Sequence, residues 1–252
     1  MLDIYNNKFS KDEKYLNRGF IAGIILLFLF YMFIPLLLAS NHSLFAKLMS
    51  MPKSLMILIV CFPPPLLTIA AMLIIFKNSD RKKSLLEKFA LNRWHIRNLW
   101  ICLAVCIFMM GISAVTTIHF KKILDFLDIP TQQPAFLTLA MSCDPSTFVL
   151  LAIAAVIIAP ISEEILFRRV IYGFIAARIG ITGSIIFTSL LFAIIHDSFA
   201  QFPALFLLGV AFQLMYLHFH SLYPALLLHF LNNAAAVCGI IIVRVFDLPL
   251  LQ

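Results

Sequence analysis

An all-α, polytopic transmembrane helix bundle of seven or eight membrane helices is the architecture this sequence specifies, and three observations carry it. Of the 252 residues, 62% are hydrophobic and 12% are charged, far from the half-apolar, quarter-charged balance of water-soluble domains. The apolar residues gather in blocks of about 20, the length that crosses roughly 30 Å of hydrocarbon at 1.5 Å per residue. The blocks recur along the chain, which excludes a lone signal sequence.

Residues 1–18 are polar and carry Lys8, Lys11, Lys14 and Arg18, so this segment is expected on the membrane surface. Residues 19–252 are read as one transmembrane domain, with apolar segments at 19–40, 55–76, 98–120, 147–176, 182–200, 202–218 and 222–244. Pro63, Pro64 and Pro65 interrupt the second segment and predict a kink or a late start, because proline lacks an N–H and clashes with the preceding turn. The fourth is long for one span and contains Pro160, so a bend or a division into two helices is expected there, which gives the eighth helix. Only Asp197 to Gln201 separates the fifth segment from the sixth. Lys121 to Asp128 reads as the solvated face of an external helix, and His119, His218 and His220 fall at segment ends and read as interfacial. The five cysteines show no metal-ligand spacing and are expected to act as small core residues.

The formal charge of +7 does not point to nucleic acid, since the basic residues sit in loops and form no aromatic-interleaved stripe. Basic residues near span ends favour the cytoplasmic side. Fourteen of the 19 Lys and Arg fall on the side of the N-terminus, the 77–97 loop and Arg168, Arg169 and Arg178. A cytoplasmic N-terminus in a bacterial cytoplasmic membrane is therefore expected, with the C-terminus outside after seven crossings.

An ionised group at mid-bilayer costs about 2.5–3.5 kcal/mol even on insertion scales, so such groups persist where they face partners or water. Three segments carry them: Glu163, Glu164 and Arg168 in the fourth, His196 ending the fifth, and His229, Asn232 and Asn233 in the seventh. Glu164 and Arg168 are i,i+4 neighbours, as are His229 and Asn233, so each pair shares a helix face. Counting about 1.5 Å per residue from the cytoplasmic ends puts Glu163, His196, His229 and Asn233 at roughly 10–20 Å depth, where one cavity would unite them. A carboxylate and an imidazole suit general-base activation of water. A second imidazole and a carboxamide suit hydrogen bonding to the oxyanion formed at a carbonyl. Taken singly, each His or Asn reads equally well as a helix-to-helix hydrogen bond.

With the residues in this order, the chain resembles the CPBP family (CAAX proteases and bacteriocin-processing enzymes, also called Abi), which includes the type II CAAX prenyl proteases. The hallmarks EExxxR, FxxxH and HxxxN fall here on Glu163, Glu164 and Arg168; on Phe192 and His196; and on His229 and Asn233. The likeness covers about residues 148–240, and one departure is Arg169, where many members have glycine. The resemblance implies an intramembrane endopeptidase cutting a membrane-associated or lipidated peptide or protein. It implies Glu163 as the catalytic carboxylate working with His196, His229 and Asn233 as the oxyanion pair, Glu164 and Arg168 as support, and Phe192 as a cavity wall.

A metal-free glutamate mechanism is expected, because the HExxH signature is absent. Zinc held by Glu163, His196 and His229 is the alternative. Two other readings remain at this point. One is a non-enzymatic immunity or partner-binding membrane protein that keeps these groups as a polar core, and the other is a transporter. Lipid and a peptide or lipidated substrate are the expected partners.

Overall fold

The computed structural model describes residues 13–77, 84–92, 94–196 and 198–248, and among them every ordered element is a helix. In chain order they are α1 (Glu13–Phe28), α2 (Ile34–Ser40), α3 (His42–Met49), α4 (Lys53–Val60), α5 (Pro63–Lys77) and α6 (Leu85–Lys88). There follow α7 (Leu99–Phe126), α8 (Ala135–Ser142), α9 (Pro145–Ile153), α10 (Ala159–Glu164), α11 (Tyr172–Ile194), α12 (Phe202–Phe219) and α13 (Leu222–Val245). Wider π-helical turns link α1 to α2 (Leu29–Phe33), α9 to α10 (Ala154–Ile158) and α10 to α11 (Ile165–Ile171).

Each of the seven apolar segments is helical over most of its described residues. Among the described residues, five helical stretches are long and apolar enough to cross a membrane: Lys53–Lys77, Ile96–Phe126, Pro145–Ile194, Phe202–Phe219 and Leu222–Val245, beside the shorter apolar helix Asn17–Phe28. The chain is an integral membrane protein with an all-α polytopic bundle. Large side chains such as Trp100, Ile107 and Phe108 on α7 stand fully outward, as lipid-facing surface does when the solvent is hydrocarbon.

The triproline behaves as expected: the helix breaks at Cys61–Phe62 and restarts with Pro63 in its first turn, where a missing N–H costs no hydrogen bond. The expected division at Pro160 does not occur. The helix runs unbroken from Pro145 past it, because the preceding turn widens to the five-residue register, with Ala159 N–H donating to the Ala154 carbonyl. In that register Pro160 would serve the Ala155 carbonyl, and Asn233 Nδ2 on α13 donates to it instead at 2.9 Å. The real break is at Gly180, at φ 77° and ψ 177° inside α11, a conformation open to a residue without Cβ. It separates the fourth apolar segment from the fifth.

Other expectations shift in detail. Most of the polar segment 1–18 lies outside the described residues, as do Arg81, Lys82, Lys83, Arg93 and Asp197, and from Glu13 the chain already belongs to α1. Lys121–Asp128 is no separate helix but the last turns of α7, closed by an exposed Lys121–Asp125 pair at 3.0 Å. Cys102, Cys106 and Cys143 are buried as expected, whereas Cys61 is half-buried and Cys238 is exposed on the bundle surface. Lys53 and Arg244 both donate to carbonyls at the C-terminal end of α8, at Ser142 and at Ala140 and Cys143, the end where a helix dipole favours cations.

α1 docks on the π-helical turn Ile165–Ile171 through Gly19 and Gly23. A Cβ on Gly23 would lie 2.5 Å from Leu166 Cδ1 and one on Gly19 would lie 3.1 Å from Val170 Cγ1. Small residues four apart let membrane helices approach this closely. Gly23→Val is expected to push α1 away and cost about 1–3 kcal/mol by overpacking, read as a lower thermal midpoint in detergent, whereas substitution at Gly111, with open space around it, leaves the midpoint in place.

Candidate active site

Three helices deliver the polar groups to one place. α10 brings Glu163 and Glu164, the turn after α11 brings His196, and α13 brings His229 and Asn233. α10 is six residues long and bracketed by the two π-helical turns, a distortion frequent at functional sites. The helix leading to it starts at Asp144, whose carboxylate accepts from Thr147 N–H and from the hydroxyls of Ser146 and Thr147. These donors hold the Asp144 carboxyl well below its ordinary range. A carboxyl depressed by folding adds stability above its unfolded value, about 4, and that contribution disappears as pH falls through the folded value. Thermal unfolding followed against pH is therefore expected to show an acid-side loss that is smaller in Asp144→Ala.

Glu164 and Arg168 are fully buried and paired, Nε donating to Oε2 at 3.0 Å. The other Glu164 oxygen, Oε1, receives His229 Nδ1 at 2.9 Å. One carboxylate thus ties the two helices together and fixes the imidazole so that its Nε2 faces Glu163. Among the described residues, the terminal nitrogens of Arg168 meet no hydrogen-bond acceptor. Instead the guanidinium lies 5.1–5.7 Å from the centroids of Phe167, Phe192 and Phe212, an aromatic cage that stabilises a cation removed from water.

Glu163 is the other kind of carboxylate, partly exposed and, among the described residues, without a direct hydrogen bond at Oε2. That oxygen stands 3.8 Å from His196 Nε2 and 3.7 Å from His229 Nε2, beyond direct bonding and within the span that a shared water bridges. His196 Nδ1 bonds the Phe192 carbonyl at 2.7 Å. A carbonyl only accepts, so Nδ1 carries the proton and the neutral ring offers a lone pair at Nε2.

Glu163, Glu164, Arg168, Phe192, His196 and His229 therefore meet in one cluster. Asn233 shares the His229 face, and its side chain donates to the Ala155 carbonyl and accepts from Asn232 Nδ2 at 3.4 Å. Phe192 is 1% exposed and packs behind both imidazoles and Arg168, whereas Phe30 and Phe167 are the aromatics that line the cavity. Phe212, stacked on His229 at 4.6 Å, had no signal in the sequence beyond its aromatic type. The three alternative zinc ligands do not close into a ligand set: among the described residues, no three His, Cys, Asp or Glu side chains are spaced to hold a metal ion.

A cavity of about 250 Å³ opens on the Glu163 face. Its far wall comes from the first third of the chain, with Leu26, Leu27 and Phe30 near the end of the first helix and Val60, Cys61 and Pro64 at the break between α4 and α5. The only sequence signal for this wall was the triproline.

Fold and cluster together define a polytopic membrane protein with a buried carboxylate–imidazole centre. Residues 145–235 match the family model described as "Type II CAAX prenyl endopeptidase Rce1-like". The "Membrane-embedded CAAX protease MroQ" of Staphylococcus aureus (strain USA300) is 38% identical over 87 residues, covering 32% of this chain and 35% of that protein. The chain thus spans about a third of the length of the curated relative it matches. No solved structure matches. Over this C-terminal region the chain is similar to the CAAX protease (CPBP) family.

Proposed function

We propose that this protein is an intramembrane endopeptidase that hydrolyses a peptide bond of a membrane-associated or lipidated peptide or protein. The observation that carries the reading is the contrast between the two adjacent carboxylates. Glu164 is consumed by Arg168 and His229, while Glu163 lines a cavity and has two imidazole Nε2 atoms 3.7 and 3.8 Å from its Oε2. The family match and the MroQ likeness support the same reaction class.

In this mechanism a water held between Glu163 Oε2 and His196 Nε2 attacks the scissile carbonyl carbon and yields a proton to Glu163. The carbonyl π electrons move to oxygen, and the oxyanion accepts hydrogen bonds from His229 Nε2, in its doubly protonated form, and from the second amide hydrogen of Asn233. Collapse breaks the C–N bond, and the proton on Glu163 passes to the leaving amine. No step uses a metal. The apolar cavity beside Glu163 receives a hydrophobic part of the substrate. A bacterial cytoplasmic membrane with the N-terminus inside fits the distribution of basic residues.

Mass spectrometry of membrane peptides from cells carrying wild-type protein or Glu163→Ala tests the reading. Products present with wild type and missing with the variant are expected. Identical peptide profiles would remove the peptidase reading and leave the polar cluster as a non-enzymatic core.

A further inference from the structure

We propose that residues 84–92 form a strap holding the two site-bearing helices in register, and that Arg169 is the positioning residue that anchors it. The inference rests on the Glu164–His229 contact belonging to the site. None of the groups involved reaches the Glu163 cavity lining.

On one side the strap grips the helix that carries Glu164. Arg169 is buried five residues beyond Glu164, and its Nε donates to the Lys88 carbonyl at 2.7 Å. Its guanidinium stands 5.3 Å from the Phe76 ring centroid, and Phe89 of the strap packs on that same ring at 5.5 Å. The Lys88 ammonium, also buried, turns back to the Lys77 carbonyl at 2.8 Å, at the C-terminal end of α5. Buried cations on backbone carbonyls make strong, charge-assisted bonds, so this side is a fixed anchor.

On the other side the strap grips the helix that carries His229. The Ala90 carbonyl accepts from Leu222 N–H at 2.9 Å, one of the first-turn donors that a helix cannot satisfy internally. Asn92 Nδ2 donates to the His220 carbonyl at 2.7 Å, and Ser221 Oγ donates to the Asn92 carbonyl at 3.0 Å. Ala90 adopts the left-handed conformation, φ 56°, which a residue with a Cβ enters at a cost. It closes α6 with Leu91 N–H bonded to the Leu86 carbonyl at 2.8 Å and sits between the two anchors.

Two carbonyls only two residues apart, at Lys88 and Ala90, therefore hold the two helices whose side chains meet in the 2.9 Å Glu164–His229 bond. His229 lies two turns along α13 from Leu222. A strap released at Arg169 lets these helices shift, and that bond is where the shift is felt.

The test reads the bond itself, independently of hydrolysis. Full-length protein labelled with ¹⁵N-histidine in detergent micelles should show a downfield Hδ1 resonance for His229, assigned by its absence in His229→Gln. In Arg169→Ala this resonance is expected to vanish or to split into several. In Arg169→Lys, which restores a cation within reach of the Lys88 carbonyl, it should persist. An unchanged single resonance in Arg169→Ala, even with a lowered thermal midpoint, would reduce Arg169 to a packing residue and overturn the proposal. If Arg169→Ala does not fold, Asn92→Ala, at the strap's half-buried C-terminal end, decides: a displaced or split resonance supports the strap and an unmoved one overturns it. Because no substrate enters this measurement, failure of the strap and failure of the peptidase reading are separate results.

Discussion

Glu163→Gln is expected to lower the rate of peptide hydrolysis by about 10²–10⁴-fold, the range contributed by a positioned general base, while leaving the folded protein intact. The amide keeps the size of the carboxylate but cannot take a proton from water. Among the described residues, Glu163 makes no direct hydrogen bond at Oε2, and it is partly exposed to the cavity, so the substitution strands no buried partner. Single-turnover cleavage of a membrane peptide by purified protein, with thermal midpoints measured alongside, separates the two effects. A rate within a few-fold of wild type would move water activation to another group.

The opposite pattern is expected at Arg168. Arg168→Met leaves the Glu164 carboxylate buried with His229 alone and takes the cation out of its three-ring cage. Removing one partner of a buried ion pair costs about 3–5 kcal/mol, whereas replacing both with apolar groups costs much less. The single variant should therefore unfold at markedly lower temperature or denaturant, and the double variant Glu164→Leu with Arg168→Met should regain part of that loss. A single variant as stable as wild type would mean that the carboxylate is neutral in the folded protein.

How far the sequence predicted these features follows from what each depends on. The apolar segments were legible because hydrocarbon imposes a length and a composition on every span. The cluster was legible because ionisable groups inside those segments stand out, and because i,i+4 spacing placed Glu164 with Arg168 and His229 with Asn233. Pro160 misled because its disruption is absorbed by a widened turn and by Asn233, a donor 78 residues from the Ala155 carbonyl that it serves. Arg169 stood out only as a departure from the glycine common at that position, since its partners lie in the segment around Lys88. The cavity wall from Leu26 to Pro64 was invisible for the same reason: apolar residues in a membrane helix look alike until packing decides which of them face lipid.

The bend at Gly180 sets where the histidine ends up. After it, residues 181–194 form a helical arm of about 21 Å at 1.5 Å per residue, against roughly 30 Å for the oily layer. The chain must turn back before it reaches the far headgroups. Irregular backbone at such depth survives only when enclosed by protein, and here Ser198 is buried while Gln201 N–H closes on the Ser198 carbonyl. A longer arm would carry His196 past the carboxylate; the truncated one suspends the imidazole 3.8 Å from Glu163.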